Sequence, residues 1–186
     1  VSGVGAGGQV IFALDVTDPE TFTKDNVLWE FTDRDHPSMG NVIGTPQIVK
    51  LRTTDTGITP IYKWYAVVAS GVNNYTADGY AHSTGNPSIF ILDLSNKPAS
   101  NSGVAWTEGT NFWRIELPQT STAIAKGLVG LTTVKNFGTG AVDSLYTGDM
   151  QGNVWKLDFT LKGINSLTND ATTNLTKLNH KVGTSS

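Results

Sequence analysis

The residues of this 186-residue chain that could do chemistry are few and scattered. Its three histidines, His36, His82 and His180, stand far apart, and neither G-x-S-x-G nor H-E-x-x-H occurs, so nothing selects a catalytic triad or a zinc helix. His36 shares the loop Thr32–Val42 with Asp33, Arg34 and Asp35. Two acids beside a histidine are metal-ligand types, yet one short loop without a partner ligand elsewhere reads as a solvated connection. Gly3, Gly5 and Gly8 in GVGAGG match G-x-G-x-x-G. Dinucleotide binding would need a strand before that motif and a helix after it; a strand pattern follows instead, and the stretch reads as a flexible approach to it. Lys135–Asp143, KNFGTGAVD, places two glycines around Thr139. Calcium takes oxygen ligands at alternating loop positions, and of these side chains only Asn136 and Asp143 offer strong ones. With no cysteine, thiolate catalysis, disulfides and cysteine-ligated zinc or iron–sulfur sites are excluded.

What remains is recognition. Gly71–Pro87, GVNNYTADGYAHSTGNP, is a long polar insert between two apolar strand patterns. Loops longer than about 12–15 residues in compact domains are often functional. Asn73, Asn74, Tyr75, Asp78 and Tyr80 are its candidate partner-binding residues, and His82 reads as merely exposed. The expectation is a binding protein and not an enzyme.

These loops need a scaffold, and the scaffold repeats. IFALDVT at 11–17, IFILDLS at 89–95 and VWKLDFT at 154–160 are each an apolar strand ending in Leu-Asp, then an apolar residue and a hydroxyl residue. The carboxylates of Asp15, Asp93 and Asp158 can accept from the amides of the turn that follows. Met150-Gln151-Gly152 separates two strand patterns, Ser144–Asp149 and Asn153–Phe159, and Gly152 supplies the positive φ of a hairpin turn. VLWEF at 27–31 and FWRIEL at 112–117 follow the first two copies, each with one mid-strand tryptophan. TPQIVKL and KWYAVVASG precede the second copy as LTTVKN and SLYTGD precede the third. A unit therefore has four strands, A to D, and repetition of such units points to a propeller or a solenoid. Trp29, Trp113 and Trp155 are assigned to packing between units, where wide flat side chains fill the gap between sheets.

The units fall at 9–31 (strands C and D), 45–117 (complete) and 128–159 (strands A to C), followed by a polar, weakly structured end at 160–186 with room for a last strand near 178–182. The fold class expected is all-β, a partial β-propeller of two to three blades. A closed propeller uses about 4 to 8 blades, and the chain opens at Val1 with neither an initiator methionine nor a signal-peptide pattern, so it is expected to be a fragment of a larger propeller.

Composition narrows the partners. Charged residues make up 16% and net charge is −3, without a Lys/Arg cluster, so the basic stripe that direct nucleic-acid binding needs is missing. No apolar run approaches the roughly 20 residues of a membrane helix. Twenty glycines with abundant Thr, Asn and Ser are the profile of a β-rich extracellular surface.

At Gly127–Phe159 the sequence resembles the C-terminal propeller of the PilC/PilY family of type IV pilus tip-associated adhesins and biogenesis factors. The matching residues are Gly127-Leu128, Val142-Asp143, Tyr146, Gly148-Asp149, Gln151-Gly152-Asn153 and Trp155-Lys156-Leu157-Asp158. FALDVTDP with LWEFTD, and SGVNNY before FILDL, agree as well. The resemblance covers the chain to about Thr160. It implies a propeller similar to quinoprotein dehydrogenases without their cofactor chemistry, exported to the outer membrane, cell surface and pilus tip. It implies a role in pilus biogenesis by opposing retraction, and in adhesion and twitching motility. Partners would be pilus subunits or the secretion pore, and a host cell surface. The family's calcium loop, D-x-D-x-D-G-x-V-D, aligns on Gly140 and Asp143, and its first three ligand positions are here Lys135, Phe137 and Thr139. The loop is degenerate as a calcium site, with Asp143 its one retained ligand. Two other readings compete: a fragment of a dehydrogenase dependent on pyrroloquinoline quinone, whose blades share the Trp-and-Asp grammar, and an extracellular binding scaffold unrelated to pili.

Overall fold

Alternating apolar residues fold as strands almost wherever they occur. The computed structural model describes residues 8–72, 86–98, 104–118, 126–167 and 175–178. Its strands are β1 (Val10–Leu14), β2 (Val27–Thr32), β3 (Gln47–Arg52), β4 (Tyr62–Ala69), β5 (Gly71–Val72), β6 (Ser88–Asp93), β7 (Phe112–Glu116), β8 (Gly127–Lys135), β9 (Val142–Asp149), β10 (Val154–Asp158) and β11 (Leu175–Leu178). They form three antiparallel sheets: β1-β2, the central β3-β4-β6-β7, and β11-β10-β9-β8-β5. The sheets lie side by side without closing into a ring, as befits part of a propeller.

The central sheet is covered on both faces, which is why β6, SIFILD, is buried at every position. Side chains alternate across a strand, so Ile89 and Ile91 face one way and Phe90 and Leu92 the other. The first pair joins Tyr65, Val67, Trp113 and Ile115 against Leu145, Trp155 and Leu157 of the third sheet and Phe159 just beyond β10. The second joins Ala66, Val68 and Phe112 against Ile11, Trp29 and Phe31 of the first. Trp29, Trp113 and Trp155 are all buried between sheets, where their breadth fills the space that twisted neighbours leave.

The three Leu-Asp strands end alike. Thr17 N–H donates to Asp15 Oδ1 (2.9 Å), Ser95 N–H to Asp93 Oδ1 (2.8 Å) and Thr160 N–H to Asp158 Oδ1 (2.8 Å). Asp93 is also buried and takes the Lys63 ammonium at 3.0 Å. Burial alone would raise the Asp158 carboxyl, but the Lys156 ammonium and the Thr160 hydroxyl and amide outweigh it and hold the group below its ordinary value.

Three segments differ from the sequence reading. Among the described residues the last strand lies at Leu175–Leu178, slightly ahead of the stretch expected, and pairs with β10; residues 179–182 lie outside the described residues. Ahead of it Ile164 and Leu167 are buried in the core, and Asp55 ties this stretch to the β3–β4 connection through Lys162 Nζ (2.8 Å) and Gly163 N–H (2.9 Å). Next, the start of the insert forms β5, which joins the third sheet by pairing Gly71 with Leu128 and Val72 with Gly127. Finally, the loop after β2 is not a solvated connection: Ser38 and Met39 are fully buried against the first and central sheets. Apolar surface on two neighbouring sheets claims Met39, and that is invisible in a loop read by itself.

Candidate functional site

The loops cluster by the strands that emit them. Asn73, Asn74, Tyr75, Asp78 and Tyr80, with His82, lie outside the described residues; both stems of their insert are held by hydrogen bonds. Val72 and Asn41 exchange backbone hydrogen bonds (2.7 and 3.0 Å). Gly71 has φ 82°, and a Cβ there would stand 2.0 Å from Asn41 O, so this backbone approach requires glycine. On the returning stem Ser88 N–H donates to Ser70 Oγ (3.0 Å), Leu117 N–H to Pro87 O (2.9 Å), and Lys126 Nζ to Asn86 Oδ1 (3.3 Å). Asn86 Nδ2 in turn donates to Glu116.

His36, on the loop after β2, packs against the central sheet. Its Nδ1 accepts from Ser38 N–H (3.0 Å), its Nε2 lies 3.7 Å from Glu108, and its ring packs beside Phe90 at 5.5 Å between centroids. Burial raises the Glu108 carboxyl, Arg114 partly opposes this, and Glu116 adds to it. Asp35 accepts from Thr32 N–H (2.8 Å) and thereby closes the turn. Among the described residues no cluster of three or more acids and histidines is placed to hold a metal. His36 of the loop after β2 and Glu108 of the β6–β7 connection thus meet beside Arg114 of β7, whose Nε lies 3.8 Å from Glu108.

The two ends of β9 carry the remaining candidates. In the β8–β9 loop Asn136 Nδ2 donates to Asp143 Oδ2 (3.0 Å), while Asn136 Oδ1 accepts from Gly138 N–H (2.9 Å) and Thr139 N–H (3.2 Å). Asp143, the one retained calcium ligand, is thus met by an amide donor, and the donor set does not fit calcium. At the β9–β10 turn Gly152 has φ 80°. Asp149 Oδ1 accepts from Gln151 N–H and Asn153 N–H (both 2.9 Å), and Oδ2 from Asn153 Nδ2 (2.8 Å) and Trp155 Nε1 (2.9 Å). Sequence reasoning gave Asp149 no role. The signal available was an acid closing one strand with Gly, Asn and Trp following at three, four and six residues. Trp106 was missed too: its indole N–H donates to Glu30 O (2.6 Å), pinning the long β6–β7 connection to β2.

Beside β1, which among the described residues pairs only with β2, lies an apolar groove of about 550 Å³ bordered by Phe12, Leu14, Val16, Pro46 and Ile48.

The family model described as the PilY1 beta-propeller domain matches residues 1–179. A type IV pilus biogenesis factor PilY1 homolog of Xylella fastidiosa is 32% identical over 88% of the chain. The type IV pilus biogenesis factor PilY1 of Pseudomonas aeruginosa (strain UCBPP-PA14) is 28% identical over 83%. The chain spans 10% and 11% of those proteins. The crystal structure of the Pseudomonas aeruginosa PilY1 C-terminal domain superposes with a TM-score of 0.56 at 25% identity, over 83% of this chain and 25% of that one.

Proposed function

We propose, for a chain that belongs to the PilY1 β-propeller family, that its three sheets serve a type IV pilus biogenesis factor. The observation that carries this is the family match over residues 1–179, together with relatives that are themselves type IV pilus biogenesis factors. The sheets act by protein–protein contact and not by catalysis. The parent protein is exported to the outer membrane and pilus tip, opposes pilus retraction, and contributes to adhesion and twitching motility. Its partners are pilus subunits or the secretion pore, and a host cell surface. Asn73, Asn74, Tyr75, Asp78 and Tyr80 make the partner contact. The paired stems at Val72 and Ser88 support this assignment, because a binding loop fixed at both ends loses less entropy on docking.

The test is a pilus count by electron microscopy after deleting residues 1–186 from the parent gene, in retraction-competent and retraction-deficient cells. Loss of pili in the first and recovery in the second is the expected result. Unchanged piliation in both would remove the biogenesis role. Replacing Tyr75 and Tyr80 by Ala together should reproduce the loss with the protein still at the surface; full piliation would move the contact elsewhere.

A further inference from the structure

The β8–β9 loop keeps the backbone of a calcium loop while spending its oxygens on itself. Such loops place ligands at positions 1, 3, 5 and 9, use the backbone carbonyl of position 7, and need glycine at position 6 for the sharp turn. Counted from Lys135, position 6 is Gly140, and its φ of 66° makes the turn. Position 7 is Ala141, whose carbonyl accepts from Asn136 N–H at 2.7 Å. Gly140 N–H returns to Asn136 O at 2.8 Å. Position 5 is Thr139, whose hydroxyl accepts from Ala141 N–H at 3.2 Å. Position 3 is Phe137, fully exposed, and position 9 is Asp143, held by Asn136 Nδ2. A cation is also supplied from outside the loop: Lys50 Nζ, on β3 of the central sheet, lies 3.8 Å from where a Gly140 Cβ would stand.

We infer that this loop is a metal-independent clasp. The Asn136 side chain takes the organising place a metal would have, accepting from two backbone amides and donating to Asp143. Lys50 brings positive charge across from the neighbouring sheet. Calcium would have to strip hydrogen bonds from Ala141 O, Thr139 Oγ1 and Asp143 Oδ2, and would meet the Lys50 ammonium beside Gly140. The β8–β9 junction therefore holds its shape without the ion, in a family whose resemblance implies a calcium loop here. The inference concerns this loop alone and stands whatever the piliation result.

Calcium stoichiometry of the full-length protein, measured by isothermal titration, tests it. Asp143→Asn should bind as many calcium ions as wild type; loss of one ion would overturn the inference. Lys135→Asp, Phe137→Asp and Thr139→Asp combined with Lys50→Ala should bind one ion more, and no gain would overturn the claim that the backbone is that of a calcium loop. A readout on the unaltered protein guards against a misfolded variant. Hydrogen exchange over residues 135–143 should be the same in millimolar calcium and in chelator. Protection that rises with calcium would show the loop to be an ion site.

Discussion

At one end of β9 the Asp149 carboxylate is buried and accepts from two backbone amides, a side-chain amide and an indole. At the other end the partly exposed Asp143 carboxylate accepts from Asn136, whose own oxygen organises the turn. Each end must satisfy the amides that a reversing chain frees from the ladder. The β9–β10 turn does it with a charge taken out of water, so its donors have no other partner if the acid is removed. The β8–β9 loop does it with a neutral amide at the surface, where water can substitute. A buried charge-assisted network is costly to break and an exposed neutral one is not.

The largest expected effect is therefore Asp149→Ala, which strands the Trp155 indole and the Asn153 amide and should cost about 3–5 kcal/mol, read as a fall in urea midpoint. A loss below about 1 kcal/mol would abolish the contrast. Trp155→Phe keeps most of the packing but removes one donor, and about 1–2 kcal/mol is expected in the same titration. Gly152→Ala forces a side chain into positive φ and should cost about 1 kcal/mol, with nothing nearby to clash. Asn136→Ala, at the surface loop, should cost about 0.5–1.5 kcal/mol. A cost equal to that of Asp149→Ala would reverse the ranking. The smallest effect is on pH dependence. Asp158 is held below its ordinary value, so its contribution is whole above the unfolded carboxyl value of about 4 and fades as pH falls through the lower folded value. Asp158→Asn should lower stability at neutral pH and flatten the acid limb of a stability–pH curve, the two forms converging at low pH; an unchanged limb would deny the Lys156–Asp158 tie any role.

What the sequence disclosed is local, and what it concealed is not. The Leu-Asp endings were legible because an aspartate caps an amide two residues on, a relation that survives without neighbours. Gly152 declared its turn for the same reason, and three inter-sheet tryptophans followed from the repeat. Asp149 stayed hidden because its four donors converge only after the turn has formed. Trp106 reaches Glu30, and Gly71 reaches Leu128, across stretches no local pattern spans. Met39 is apolar in a charged loop, and only two finished sheets explain where it goes. The candidate partner residues rest on length and polarity of the insert, signals that locate a loop without naming its ligand.

The short pairing of β5 with β8 also bears on the order of assembly. The β1-β2, β3-β4, β8-β9 and β9-β10 pairs all close between neighbours in the chain, at small entropic cost. Gly71 and Val72 belong by sequence to the central unit, yet dock on the first residues of β8. That docking must wait until both sheets exist, since long-range pairings gain nothing until the segments between them are ordered. Residues 71–72 are thus expected to lock last, and both stems of the insert become fixed only when two sheets have already formed.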